Sequence, residues 1–247
     1  LSLTELRFFT ESFAIDGGKV AMASAAITGG NTVVDQTGPH ARASPPLRKY
    51  PEVALTSNVG VGGYVVEYSS QLGSLYPGWN AFNGAVETAN GANGEWISGT
   101  DTYDTTATNG AYLAHSTNAV SFQGNQGEYL GIILPNAIKV DYVYVYGRPD
   151  TGASRTVREY ILWGGNDGST WTQLQTGTNT LSVLGSTNRF TISVSSTVPY
   201  SRFRLQALSM NGAEGEVSIG EMELYGYEED PPAGDTSVDT TITSQFN

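Results

Sequence analysis

The chain has no cysteine and only two histidines, His40 and His115, among its 247 residues. Without cysteine, neither a disulfide framework nor a thiolate metal site can form. The sequence also lacks a Gly-x-Ser-x-Gly elbow, a His-Glu-x-x-His pair and a phosphate loop, which argues against the enzyme classes built on them. A carboxylate pair for glycoside hydrolysis stays open on spacing alone, but the acidic residues fall in predicted turns, in a closing strand and in a linker. We therefore predict a protein that is not an enzyme.

Charge is scarce as well, at 15% of residues, and acidic residues outnumber basic ones by 24 to 12, giving a net charge of −12. Nucleic-acid binding requires clustered Lys and Arg, so we predict no nucleic-acid partner. No run approaches the roughly 20 apolar residues of a membrane span. An acidic surface is compatible with a cation site, with a neutral ligand such as a sugar, or with solubility alone.

Helical periodicity is also missing, since no segment of ten or more residues holds a 3.6-residue period, whereas two-residue alternation is common. Phe203, Leu205 and Ala207 share one predicted face of a strand. The run 140–146 alternates in the same way, with tyrosines where polar residues are usual. Asn-Gly and Asp-Gly turns separate such runs. Many short strands with this punctuation predict an antiparallel sandwich or barrel.

Composition and strand pattern divide the chain into four parts. Residues 60–227 carry the strand pattern, 11–59 form an extended arm, and 228–247 read as a linker followed by the start of another unit. Residues 1–9 align with 217–225, and in both copies the apolar phase slips at a glutamate, which predicts a β-bulge. We interpret 1–10 as the closing strand of a preceding, similar unit; chance similarity between two amphipathic strands is the alternative.

Several motifs in order resemble the discoidin family, also called F5/8 type C domains, which includes the family 32 carbohydrate-binding modules. The most specific is 160–171, similar to the "S-N-D-G-x-x-W" hairpin of the family. The other segments that carry the resemblance are 64–70, 79–84, 95–98, 127–135, 200–205 and 219–226. The resemblance implies an all-β, antiparallel jelly-roll β-sandwich of the galactose-binding-like type, here with an extended N-terminal arm.

The resemblance also implies a structural Ca²⁺ beside the turn at Asn83. Carried over onto this sequence, the ligands are Asn83, Thr88 and Glu221, although Asn83 stands where the family usually has Asp. Ca²⁺ takes six to eight oxygens, and a bulged strand next to a tight turn offers carbonyls to it. The alternatives are that Glu221 is exposed or pairs with an Arg, and that Asn83 only makes a left-handed turn.

A ligand surface is expected among the loops. Sugars bind on aromatic faces flanked by polar groups, and Trp79, Tyr76, Tyr103, Tyr112 and His115 all lie in predicted loops. Each could instead pack against the sandwich. Arg148 and Arg155, with Arg158, surround one loop, where they could hold hydroxyls or a carboxylate, or neutralise an acidic surface. Trp96, Trp163 and Trp171 occupy packing positions of the family and are predicted to be core.

We therefore predict a non-catalytic binding module of an extracellular or virion-surface multidomain protein, recognising carbohydrate on glycans or a cell surface. The alternative is a structural assembly protein, a minor capsid or fibre component. In that case residues 10–59 would contact other copies or other structural proteins. The sequence is similar in style to tandem-repeat surface proteins of large algal viruses, a setting that accommodates both roles.

Overall fold

The computed structural model describes residues 45–85, 94–106, 109–113, 120–148, 154–180 and 189–228, and the backbone of two short strands nearer the start. The chain divides into two units, Leu1–Pro46 and Leu47–Asn247. In the first unit, strands β1 (Phe13–Ile15) and β2 (Gly18–Val20) form an antiparallel hairpin. The segments predicted as a closing strand (1–10) and as a linker beyond residue 228 lie outside the described residues.

The second unit is built almost entirely of strands, as the alternation predicts. Short 3-10 turns lie at Val61–Gly63 and Gly78–Phe82. The strands are β3 (Arg48–Tyr50), β4 (Val65–Tyr68), β5 (Trp96–Ile97), β6 (Ser121–Phe122), β7 (Asn125–Gln126), β8 (Glu128–Tyr146), β9 (Glu159–Gly165), β10 (Trp171–Thr178), β11 (Arg189–Ser193), β12 (Tyr200–Ala207), β13 (Ser218–Ile219) and β14 (Glu221–Glu228).

Strand β8 joins the two layers of the sandwich. Its first part pairs with β4 and β12, and its second part pairs with β11 and β14. The first layer therefore has the order β4–β8–β12–β9–β10, and the second has the order β11–β8–β14–β3. All these pairings are antiparallel. This arrangement confirms the predicted antiparallel β-sandwich.

The core lies between the layers and follows the two-residue alternation of the strands. Phe203, Leu205 and Ala207 of β12 are buried together, as predicted. Trp96 is completely buried in the same core. The prediction for Trp171 was wrong, because it is only half-buried: it faces outward from β10 and packs edge-to-face on Phe122. Trp163 is buried under Phe122 on that same outer face.

The sandwich begins earlier than the predicted boundary at residue 60. Strand β3 pairs with β14, where Leu224 lies opposite Tyr50. Tyr50 and Leu55 are almost fully buried in the core, and Leu55 donates its backbone N–H to the carbonyl of Phe82. Part of the segment expected to be an extended arm is therefore packed into the sandwich itself.

The predicted phase slip near Glu221 takes the form of a strand break. β13 pairs with β5 through Ile219 and Trp96, whereas β14 pairs with the second part of β8. Between them, Gly220 donates its backbone N–H to the carbonyl of Tyr146, and a Cβ on Gly220 would lie only 2.8 Å from the carbonyl oxygen of Gly147. The pairing passes here from β5 to β8, and this change of partner strand explains why the alternation of apolar residues shifts at this point.

Candidate functional site

The predicted ligand residues that the structure describes do not converge on one site, and Tyr103 is the clearest correction. Its side chain is 0% exposed, and its hydroxyl donates a 2.9 Å hydrogen bond to the carbonyl of Ala207. The ring packs edge-to-face on Tyr112, with 5.2 Å between the centroids. Tyr103 therefore cannot touch a ligand at the surface. Its loop position suggested exposure because the sequence gives no sign of the strand that covers it.

The other predicted aromatics divide between the surface and the edge of the core. Trp79 is half-buried in the 3-10 turn Gly78–Phe82 and packs against the core, and Tyr76 is half-buried just before that turn. Tyr112 is half-buried, and its hydroxyl accepts a 2.6 Å hydrogen bond from the backbone N–H of Val120. His115 lies outside the described residues.

The arginines proposed as ligand contacts face acidic side chains instead. Nε of Arg148 lies 3.4 Å from Oε1 of Glu95, whose side chain is completely buried. Arg155 lies 3.4 Å from Glu214 and 3.5 Å from Glu216. Of the two readings left open by the sequence, neutralisation of acidic groups is the one that these contacts favour.

A polar cleft of about 450 Å³ opens at one end of the sandwich. It lies between the segment that follows β4 and the segment that follows β5. Two hydrogen bonds hold these segments together, one from Leu72 N–H to the backbone carbonyl of Ile97 and one from Gly99 N–H to the side-chain Oγ of Ser70. The lining residues are Ser69, Ser70, Gln71, Leu72, Gly73, Gly99, Thr100 and Val120.

A buried carboxylate fixes the wall of this cleft. Glu128, at the start of β8, is 0% exposed and accepts hydrogen bonds from the hydroxyls of Ser69, Ser70 (2.6 Å) and Tyr112 (3.3 Å). Burial raises the pKa of Glu128, and the hydroxyl donors oppose that rise. Because each serine donates its hydroxyl proton to the carboxylate, its oxygen is held in place and can take part in further hydrogen bonds only as an acceptor.

The sequence had marked the Ser69–Ser70 pair and the segment around Glu128, but only as signs of the fold. Gln71 and Thr100 carried no signal of their own. Gln71 directly follows Ser70 in the chain, whereas the position of Thr100 beside the serines depends on the pairing of β5 with β13, which places the segment after β5 next to the segment after β4. Only the tertiary structure brings these four side chains to one cleft.

The predicted metal turn lies apart from this wall. Oε1 of Glu221 accepts a 3.1 Å hydrogen bond from the backbone N–H of Gly84, and Oε2 is buried with no hydrogen-bond partner. Burial raises the pKa of Glu221 to about 8. Glu221 is thus neither exposed nor paired with an Arg in an ion pair at the described positions.

Asn83 does not occupy the left-handed region, since its φ is −94° and Gly84 takes the positive φ of 74° instead. Oδ1 of Asn83 accepts a 2.8 Å hydrogen bond from the backbone N–H of Ala85. Thr88, the third predicted ligand, lies outside the described residues. Two predicted ligands, Asn83 and Glu221, therefore meet at one turn.

In the part of the chain that the structure describes, the Asp and Glu side chains form no group of three that could hold a metal ion. Its helices are not long and apolar enough to cross a membrane.

Comparison with known proteins gives one family. A family model described as F5/8 type C domain matches residues 65–222. No curated protein matches the chain.

Many solved structures resemble the chain at low identity. The family 32 carbohydrate-binding module of Clostridium perfringens NanJ, solved with galactose, is 18% identical, covers 66% of this chain and 93% of its own, and has a TM-score of 0.46. A module from a family 31 glycoside hydrolase of the same organism is 19% identical over 65% and 88%, with a TM-score of 0.46. An F5/8 type C domain of Bacteroides fragilis is 13% identical over 67% and 93%, with a TM-score of 0.47.

Proposed function

Because the chain belongs to the F5/8 type C domain family, we propose that it is a non-catalytic module of an extracellular protein that binds carbohydrate. The binding site we propose is the polar cleft between Ser69 and Thr100. Glycans are the partners that this proposal implies.

The observation that carries the proposal is the wall of hydroxyls fixed by Glu128. A sugar is recognised through hydrogen bonds to its hydroxyl groups, and acceptor oxygens already held in position bind it without a further loss of side-chain freedom. The cleft volume, about 450 Å³, lies in the range of small-molecule sites, which is roughly 300–1,000 Å³. Gln71 and Thr100 offer an amide and a hydroxyl at its rim.

A glycan array followed by calorimetry tests the proposal. Wild-type protein should bind at least one glycan, and Gln71→Ala and Thr100→Ala should each weaken that binding about tenfold, the effect of losing a hydrogen bond worth about 1.4 kcal/mol. Gln173→Ala and Thr172→Ala on the exposed strand β10 are matched controls and should bind like wild type. Loss of binding in the controls alone, or no binding to a broad array by folded protein, would refute the site.

We also propose that a Ca²⁺ ion stabilises the turn at Asn83 and Gly84. The buried Oε2 of Glu221 has no hydrogen-bond partner, and a cation would compensate its charge. Oδ1 of Asn83 and backbone carbonyls of the turn are the further oxygens expected. These residues fit a Ca²⁺ site of low negative charge, because Asn83 contributes an amide oxygen in place of a carboxylate. Such an ion would hold the turn in place and take no part in chemistry.

A role in assembly, including a place on a virion surface, stays a prediction. It depends on residues 10–59 contacting other copies or other structural proteins. Of these, Tyr50 and Leu55 are buried in their own sandwich and are not available for such contacts. Sedimentation of the full chain, with and without residues 10–44, would test it: a complex that persists without this segment would contradict the predicted contact.

A further inference from the structure

Glu128 holds the hydroxyl protons of the two serines in the wall of the polar cleft. Its Oε2 accepts a hydrogen bond from Ser69 and another from Ser70, the second at 2.6 Å. A serine hydroxyl has one proton and two lone pairs, so a serine that donates to Glu128 has no proton left for a ligand. The direction of these two hydrogen bonds therefore decides what the wall offers to a ligand.

The serine oxygens also accept hydrogen bonds from the backbone. Oγ of Ser69 accepts one from the N–H of Tyr129 at 2.9 Å, and Oγ of Ser70 accepts one from the N–H of Gly99 at 2.8 Å. Each oxygen is thus left with one lone pair. Ser70 is half-buried and lines the cleft, so this lone pair can accept a hydrogen bond from one ligand group.

The two serines differ in how strongly they depend on Glu128. The hydroxyl of Ser69 has a second internal acceptor, the carbonyl of Tyr129 at 3.3 Å. Among the described residues, the hydroxyl of Ser70 donates to Glu128 alone. Without an acceptor at position 128, Ser69 can turn to Tyr129, whereas Ser70 can satisfy its proton only by turning it toward the cleft. Ser70 is therefore the serine whose polarity Glu128 decides.

The surroundings of Glu128 keep it in this role. Its side chain is fully buried, and its Oε1 accepts a 3.3 Å hydrogen bond from the hydroxyl of Tyr112. Across the described ranges, no Lys or Arg lies within ion-pair distance of it. Hydroxyl donors are thus the groups that compensate the buried carboxylate, and the loss of one of them to a ligand would destabilise the fold.

We propose that Glu128 is a positioning residue that sets the specificity of the cleft. By holding the proton of Ser70, it makes this part of the wall accept only ligand groups that donate a hydrogen bond. The inference rests on the proposed function for the nature of the ligand, because it concerns the same cleft. The cleft then selects a glycan with a free hydroxyl where it meets Ser70, and it rejects the same glycan when that hydroxyl is methylated.

Two small molecules that differ only in donor capacity test the proposal. Ethylene glycol carries two neighbouring hydroxyls, as a sugar ring does, and 1,2-dimethoxyethane carries the same two oxygens without a proton. The amide resonances of Gly99 and Thr100, measured by NMR in the full chain, report entry into the cleft. In wild type, glycol should shift both resonances, and the ether should bind at least about tenfold more weakly, the usual effect of a lost hydrogen bond.

Three variants isolate the contribution of Glu128. Glu128→Met removes the acceptor and keeps the length of the side chain, so the ether should now bind as well as glycol. Glu128→Gln should keep the preference for glycol, because its amide oxygen can accept from both serines while its nitrogen donates to Tyr112. Glu159→Gln is the matched control and should behave like wild type. Oε2 of Glu159 also accepts a serine hydroxyl, that of Ser209 at 2.9 Å, but outside the lining of the cleft.

The melting temperature of each variant separates a loss of structure from a change of specificity. If Glu128 only stabilised the fold, both substitutions would lower the melting temperature and the preference for glycol would survive in each. Equal binding of the two probes to wild type, or exclusion of the ether from a folded Glu128→Met variant, would overturn the inference. If Glu128→Met does not fold, Ser70→Ala decides: it should reduce glycol binding to the level of the ether, and unchanged glycol binding would overturn the inference.

These outcomes are distinct from those of the glycan array. A glycan that binds through Thr100, combined with equal binding of glycol and the ether, would overturn the role of Glu128 and leave the proposed function standing. A preference for glycol that Glu128→Met removes, on a folded protein that binds no glycan, would support the role of Glu128 and refute the proposed function.

Discussion

Arg204 on β12 reaches across β8 to Glu67 on β4 and donates two hydrogen bonds to the same carboxylate oxygen, at 2.8 and 3.3 Å. The residue of β8 that lies between them is Gly131, which is paired with Arg204 on one side and with Glu67 on the other. A Cβ on Gly131 would lie 2.7 Å from Cγ of Arg204. The ion pair across three strands is therefore possible because the middle strand has no side chain there.

Replacing Gly131 with Ala should destabilise the sandwich by about 1–3 kcal/mol, the usual effect of an added methyl group in a filled space. Urea unfolding would measure it. Gly215→Ala is the matched control: its Cβ would make only ordinary contact, 3.4 Å from the backbone N of Asp101, and its stability should change little. Equal stabilities of the two variants would contradict this account of Gly131.

Replacing Arg204 with Lys should cost about 1–2 kcal/mol although the charge is kept. The guanidinium lies 4.5 Å from the rings of Tyr129 and Trp171, and an ammonium group can match neither this stacking nor the double hydrogen bond. A double-mutant cycle with Glu67→Gln would measure the coupling between the two side chains. Arg202→Lys, whose contact with Glu67 is 3.4 Å, should cost less, and the reverse order would show that the stacking adds nothing.

Replacing Tyr103 with Phe should lower stability by about 1–3 kcal/mol and leave glycan binding unchanged. Its buried hydroxyl donates to the carbonyl of Ala207 and accepts from the backbone N–H of Glu128, and the substitution leaves both groups without a partner. Thermal unfolding and the glycan titration measure the two effects. Tyr76→Phe is the control for a half-exposed tyrosine. If the Tyr103→Phe variant had normal stability but bound glycan more weakly, Tyr103 would have to be part of the ligand site.

Glu221 should make the stability of the calcium-free protein fall as pH rises. Its folded pKa, about 8, lies above the usual 4.5, so folding favours the protonated form. The resulting stabilisation is complete below pH 4.5 and is lost as pH approaches 8, by at most about 5 kcal/mol at 1.36 kcal/mol per unit. Unfolding in EDTA between pH 4.5 and 8.5 should show a steeper fall of stability in wild type than in Glu221→Gln, in which the raised pKa of Glu128 still contributes to the slope.

Adding Ca²⁺ should restore at pH 8 the stability that the ionisation of Glu221 removes. The ion would favour the ionised carboxylate, so the melting temperature of wild type should rise, whereas that of Glu221→Gln should not. Glu228→Gln at the end of β14 is a matched control and should keep the response of wild type. An equal rise in wild type and Glu221→Gln would contradict the calcium proposal while leaving the pH slope intact.

The sequence predicted the strands more accurately than it predicted which aromatic side chains are exposed. Alternation in 200–207 is a local property, because successive side chains of any strand face opposite sides. Which residue a loop presents to water is not local. Tyr103 is covered by the start of β8 and the end of β12, while Trp171 is left at the surface because its neighbour on the outer face is Phe122. Neither neighbour is close in sequence.

The sequence by itself determined the class of the fold and the family, because alternation and turn motifs are properties of consecutive residues. It also displayed the tyrosines of 140–146 as a departure from the usual pattern. The tertiary structure alone decided that Gly131 lies under the Arg204–Glu67 pair, that Ser69 and Ser70 face a buried Glu128, and that Arg189 lies over the ring of Tyr144. Each of these contacts depends on the register between strands that are far apart in the chain. The alternation of residues within a single strand does not specify that register.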